Sequence, residues 1–343
     1  MRATTYSDDV ACKQAFFLGT QSFHQELVMT FRTSIVAAAA VFTAATTAQA
    51  GELHVFTSDA AGFNTHSVWY DDGQEVTVVD TQFTPAIAEQ LVAQIRKTTR
   101  SPITRVVVTH PSPDKFNALS VFHRIGAQSL GSKSTAAAMP AVDAYKRYFW
   151  VKVAKTFTDE NYPVMEPLKS TFEDRTTVRL KSGETLSLIE LKAPGVAGTQ
   201  TVVRIDKTGD LVVGDLVHTR NHAWLEGGIV DGKPKFTLAG WKADLAELPL
   251  LGTGKVYGGR GQFVPVKQAV AEQTAYLDKA DQIVGAYVAQ LDSRAGELRD
   301  PAQQQRHHQA LQAEFVRAFP DYAMPDLVGY SVYGLLASKV KAQ

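Results

Sequence analysis

Four apolar runs in this chain each break off into a short polar junction, and that arrangement limits the fold more than any other feature. The junctions are His110-Pro111-Ser112-Pro113-Asp114-Lys115, Ala193-Pro194-Gly195-Val196-Ala197-Gly198, Gly214-Asp215-Leu216-Val217-His218 and Gly258-Gly259-Arg260-Gly261. Each mixes Gly or Pro with a polar residue. Glu75–Asp80 (EVTVVD) and Ile103–Thr109 (ITRVVVT) read as buried strands. Leu53–Ser58 and Ser67–Tyr70 alternate like strands, with Asp71-Asp72-Gly73 as a turn. Residues 176–192 read as two strands around Lys181-Ser182-Gly183, and Thr201–Asp206 with Asp210–Val213 as a hairpin. Helical spacing marks Pro85–Thr98 through Ile87, Leu91, Val92 and Ile95, and the sequence also reads as helical over Asn117–Ile125, 134–155 and Trp241–Leu248. Residues 214–235 read as a loop, and three helical blocks follow from Val266, Pro301 and Asp326. Two strand-rich halves, 53–133 and 171–264, each carry helices. The expectation is an α/β protein of two sheets packed face to face with helices outside. Ligand sites in such layered proteins form where strand ends release side chains into a crevice, so the four junctions are the candidate site.

Composition narrows the function. Lys plus Arg number 35 and Asp plus Glu 35, for a net charge of zero. Nucleic acid is therefore not expected as a partner, because a phosphate-binding face shows as an excess of Lys and Arg. Residues 29–50 (MTFRTSIVAAAAVFTAATTAQA) have the layout of a secretory signal peptide: Arg32, a short apolar run from Ile35 to Ala45, and a small-x-small cleavage site at Ala48-Gln49-Ala50. The reading divides the chain into residues 1–50 (extension and signal, with Met29 as the expected true start), 51–265 (the layered domain) and 266–343 (a helical extension packed on it). A periplasmic or secreted protein with no transmembrane segment in its mature chain is expected. The single cysteine, Cys12, precedes the cleavage point, so the mature chain has no thiol ligand or disulfide.

The order of these pieces resembles the metallo-β-lactamase superfamily, an αββα hydrolase fold. Its opening strand ending in Asp is matched by Val78-Val79-Asp80-Thr81, and its T-H-x-H-x-D-H segment by Thr109-His110-Pro111-Ser112-Pro113-Asp114-Lys115. Its P-G-H-T-x-G-x-T segment is matched by Pro194–Thr201, and its G-D by Gly214-Asp215. A following H-x-W-L stretch is matched by His222-Ala223-Trp224-Leu225, and the last G-H-G turn by Gly259-Arg260-Gly261. The resemblance implies two metal ions, usually zinc. Metal one would use three His, which fall on His110, Ser112 and Val196. Metal two would use Asp114, Lys115 and Arg260 with the bridging Asp215. Four histidine positions are thus lost, two of them to cations, and Val196 and Ser112 offer zinc little or nothing.

Charge bookkeeping suggests a replacement for the metal. Asp114 and Asp215 would be costly if buried unpaired, and Lys115 and Arg260 bring positive charge at the positions that lost His. The ammonium and guanidinium are expected to fill the space of metal two, with no cofactor. The first functional reading is an exported, degenerate-site pseudoenzyme that binds a small, anionic molecule. Its cleft would be formed by His110, Ser112, Asp114, Lys115, Val196, Asp215, Arg260, His222 and Trp224. The alternative is a hydrolase of esters, lactones, lactams or thioesters. It would hold one zinc ion on His110, Asp114 and Asp215, aided by His218 or His222, or would work without metal, with His110 as base and Lys115 in an anion clamp. His307-His308 reads as part of a solvated helix face.

Overall fold

In the computed structural model the described residues are 51–340; the signal-like segment 29–50 and the rest of the N-terminal extension lie outside them. The first sheet is formed by β1 (Glu52–Thr57), β2 (His66–Asp71), β3 (Val76–Val79), β4 (Ile103–Val107), β5 (Gln128–Ser132) and β6 (Ser170–Phe172), in that spatial order. The second holds β7 (Arg175–Arg179), β8 (Thr185–Glu190), β9 (Thr201–Ile205), β10 (Asp210–Thr219), β13 (Lys255–Gly261) and β14 (Val264–Pro265), in the order β14-β13-β10-β9-β8-β7. A small hairpin of β11 (Gly228–Val230) and β12 (Lys233–Lys235) stands apart.

Side chains at alternate positions of β2, β3 and β4 go to different cores, as a period of two requires. Val68, Tyr70, Val79 and Val107 meet Leu186, Leu188, Val203 and Val212 of the second sheet. Trp69, Val78 and Val106 instead pack with α1 (Pro85–Thr98) through Leu91 and Ile95, with α3 (Leu119–Arg124) through Phe122, and with α4 (Lys133–Tyr148) through Met139 and Val142. Both faces of these strands are buried, which accounts for their nearly continuous apolar runs. Outside the second sheet lie α5 (Leu238–Leu251) and α6 (Val266–Leu291), followed after a 3-10 stretch by α7 (Pro301–Ala318), α8 (Asp326–Ser331) and α9 (Tyr333–Val340). These helices share one core with β10, built on Trp241, Leu245, Leu277, Val284 and Phe315. The architecture is the αββα sandwich that the patterning implied.

Three details depart from the expected elements. A short helix, α2 (Pro113–Phe116), precedes the expected one, which runs as α3 over Leu119–Arg124. The last helical block breaks at Val332. The expected loop from residue 214 does not begin there, because β10 continues to Thr219. Gly214 adopts φ +53°, and the pairing with β13 shifts register around it and resumes at His218↔Arg260. A left-handed glycine here bends a strand without ending it.

Leu91 is fully buried and Leu250 is 85% exposed. Leu91→Ala is expected to cost about 2–5 kcal/mol, whereas Leu250→Ala should stay within about 0.5 kcal/mol. Urea unfolding of the two variants checks this contrast.

Candidate functional site

The ends of β3, β4, β10 and β13 converge at one edge of the sandwich. Asp114 and Lys115 enter on α2, held in place by Pro113 at the first helical position. Asp215 comes from the bend in β10, and Arg260 from the end of β13. Lys115 Nζ lies 2.9 Å from Asp114 Oδ2 and 2.8 Å from Asp215 Oδ1, and its side chain is fully buried. Arg260 bridges the same two carboxylates: Nη2 donates to Asp114 Oδ2 at 3.0 Å and Nη1 to Asp215 Oδ2 at 3.1 Å. The result is a closed square of two cations and two anions. Thr65 adds to it, donating to Asp114 Oδ2 at 3.0 Å and accepting from Arg260 Nη2 at 2.7 Å. Arg260 Nε donates to the carbonyl of Phe63 at 2.8 Å, so every nitrogen of the guanidinium is engaged. Ser112 Oγ donates to Asp114 Oδ1 at 2.8 Å.

Space for this square is made by the backbone. A Cβ on Gly259 would stand 1.7 Å from Asp215 Oδ1, and one on Gly214 would stand 2.4 Å from Thr109 Oγ1. Gly259 and Gly214 are therefore required by close approach, and Gly214 also by its positive φ.

Behind the square, Asp80 has φ +66° and accepts from the Thr109 N–H and hydroxyl, each at 2.9 Å. The same hydroxyl lies 2.9 Å from His110 Nδ1, and His110 Nε2 lies 3.6 Å from Asp215 Oδ2. One threonine thus ties a buried carboxyl to the imidazole. His110 is only 2% exposed.

The electrostatics separate these acids. Burial alone would raise the pKa of Asp114 and Asp215, but Lys115 and Arg260 outweigh it and hold both below the usual carboxylate range. Burial alone would lower Lys115 and Arg260, and the two carboxylates reverse that to a net upward shift. The depressed acids contribute stability that is present above their unfolded pKa and lost as pH falls through the folded one. The raised bases contribute stability that is lost only as pH rises through their elevated values. The square therefore persists across the whole neutral range. Asp80 is opposite in sign: burial pushes it up to about 6, against which Lys115 and His110 act only partly.

The other expected site residues divide. Val196 and Trp224 line the cleft beside His110, Ser112 and Asp215. His222 does not. It is fully buried with its ring among Tyr276, Phe315, Phe319 and Tyr322, and burial lowers its pKa to about 4. Its nearness to Asp215 in sequence misleads, because Arg220 (φ +57°) turns the chain away after β10. His218 is buried on β10, and burial lowers its pKa to about 3. Lys115 is enclosed and every nitrogen of Arg260 is engaged, so both cations are committed to Asp114 and Asp215. His307 is 2% exposed, not on a solvated face, and its Nδ1 pairs with the Tyr287 hydroxyl at 2.8 Å.

Several residues of the cleft went unnoticed in the sequence: Phe63, Phe83, Trp150 and Lys146 line it beside the expected Trp224. Lys146 Nζ stands 4.7 Å over the Trp224 ring and pairs with buried Glu226, which also accepts from Trp224 Nε1 at 2.9 Å. Lys146 had a legible signal: it continues the buried stripe Met139, Val142 on α4.

The family model for the metallo-beta-lactamase superfamily matches residues 60–280. The chain belongs to that superfamily. A metallo-beta-lactamase from Pontibacter korlensis superposes with TM-score 0.50 at 18% identity, over 67% of this chain and 95% of the other. The enzyme FIM-1 from Pseudomonas aeruginosa, solved in a mono-zinc form, gives TM-score 0.47 at 17% identity, over 67% and 91%. A search of curated protein sequences finds no significant match.

The superfamily's zinc can be tested against the residues present. Tetrahedral zinc needs about three or four N, O or S ligands at roughly 2.0–2.3 Å. Here both candidate carboxylates are bound to cations between them. Among the described residues no group of three or more His, Cys, Asp or Glu is placed to hold a metal ion. The donor set does not fit zinc.

Two outcomes are expected. Lys115→Met leaves the buried acids one cation short and should cost about 3–5 kcal/mol in urea unfolding, as for broken buried pairs. Asp114→Asn in the same background should return part of that loss. For Asp80, the folded state binds a proton more tightly than the unfolded state, so its contribution to stability grows as pH falls from about 6 toward the ordinary 3.8. Relative to Asp80→Asn, the native protein should therefore gain thermal stability between about pH 7 and pH 4, measured as the difference in Tm across that window.

Proposed function

We propose that this chain is an exported, non-catalytic member of the superfamily, which retains the sandwich and uses its cleft to bind a small uncharged molecule. The observation that carries this reading is the placement of Lys115 and Arg260 between Asp114 and Asp215. A divalent ion entering there would have to displace an ammonium and a guanidinium that already neutralise both carboxylates. Hydrolysis through a lowered-pKa metal-bound water therefore has no ligand set to support it. The metal-free enzyme reading also weakens, because its anion clamp is consumed and His110 is closed in between Thr109 and Asp215. The cleft that remains is shallow, with about 30 Å³ of enclosed space, and has an aromatic wall of Phe63, Phe83, Trp150 and Trp224 over a charge-balanced floor. An uncharged, partly apolar ligand suits such a surface.

The test is direct. Purified mature protein should carry substoichiometric zinc, iron and manganese by elemental analysis. It should not hydrolyse a panel of chromogenic lactams, lactones and esters, with or without added zinc. One equivalent of tightly held metal, or zinc-dependent turnover lost in His110→Ala, would overturn the reading. Export is supported by the layout of residues 29–50 alone, and mass spectrometry of the protein recovered from the periplasm or culture medium should find a mature N-terminus at Gly51.

A further inference from the structure

A second hollow lies away from the ion square. It is a groove of about 710 Å³ where the end of α4 meets α7, α8 and α9, and none of Asp114, Lys115, Asp215 or Arg260 takes part in it. One contribution to its lining is aromatic: Tyr145, Phe149, Tyr330 and Tyr333. Tyr333 stacks on Phe149 at 6.3 Å and on His308 at 6.2 Å, which builds a short ladder of rings. Tyr330 is 41% exposed, with its ring 6.0 Å from Trp150. The other contribution is amide: Gln304, Gln305, Gln309 and Gln312 recur along one face of α7. Neither Lys nor Arg lines the groove, and its one acid, Asp326, accepts from Gln312 Nε2 at 2.9 Å.

A second observation marks this place. Helix α4 ends in a π-helical turn, Phe149–Val153, and Phe149, Val153 and Ala154 are groove residues. Such turns sacrifice regular hydrogen bonding and recur at functional sites. Here the widened turn carries Phe149 into the ladder and leaves Val153 57% exposed beside it.

We propose that this groove binds a neutral saccharide. The chemistry follows from the lining. A sugar ring has an apolar C–H face that packs on aromatic rings and an edge of hydroxyls that both donate and accept. Primary amides also both donate and accept, so a row of glutamines matches hydroxyls without imposing charge. An anion finds no cation in the groove, and a cation finds only an acid already engaged. A purely apolar ligand would cover the amides of Gln305 and Gln309 without pairing them, at a cost in desolvation.

The full mature chain is tested by saturation-transfer NMR and calorimetry. The probes are cellobiose and maltotriose, with glucose 6-phosphate, glucosamine and indole as comparisons. The neutral sugars should bind, and Tyr330→Ala should weaken them about tenfold or more, as removal of a stacking aromatic does at a binding centre. Gln309→Ala should weaken them less, and Tyr330 and Gln309 are both exposed, so Tm should be unchanged in each. Failure of both neutral sugars to bind overturns the proposal. So does binding that is unchanged in both variants, or binding of indole or the charged sugars in preference to the neutral ones. Because the groove excludes the ion square, none of these results bears on the metal content of the protein.

Discussion

A buried carboxylate is tolerable only with a partner, and in this sandwich two of them share two. Asp114 and Asp215 arrive from different halves of the chain, on α2 and β10, and Lys115 and Arg260 each touch both. The square therefore fastens the first sheet's loops to the second sheet's strand ends. Thr65 and the carbonyl of Phe63 bring in the turn between β1 and β2. The cross-link joins the two sheets through four side chains. Such a cluster resists piecemeal change: any single replacement that restores a neutral ligand leaves a carboxylate in a dry site with less positive charge than it needs. Return to a metal site would require several substitutions together.

Much of this was legible in the sequence, for physical reasons that can be named. The helix Pro85–Thr98 has a Thr cap, Pro at its first position and a clean apolar stripe, and it runs over those residues. The hairpins were announced by Lys181-Ser182-Gly183 and Lys207-Thr208-Gly209, whose glycines adopt positive φ. At the site, two acids and two new bases at matched positions were enough to suggest the pairing, because buried charge must balance.

The remainder depended on distances that no spacing reveals. Thr65 carries no motif and reaches Asp114 across 49 residues. His222 looked like part of the cleft because it follows Asp215 closely, yet a single left-handed residue, Arg220, places it in an aromatic core with α6 and α7. Gly214 looked like a strand terminator and is a bend. The groove is composed of the end of α4 and three helices more than 150 residues later, so it exists only in the assembled tertiary structure.

The loop that carries Trp224 is hydrogen-bonded to the far end of the chain. Leu225 N–H donates to Ser331 Oγ at 2.9 Å, and Leu335 N–H donates to the Leu225 carbonyl at 3.0 Å. Tyr333 reaches Glu226, and Gly334 presses so close that a Cβ there would sit 1.9 Å from the Glu226 carbonyl. The terminal helices are thus a clasp on the wall of the cleft. A shortened form that dropped this clasp would free Trp224 and Glu226 together, and would also uncover the core that Val328, Val332, Leu335 and Leu336 share with the second sheet.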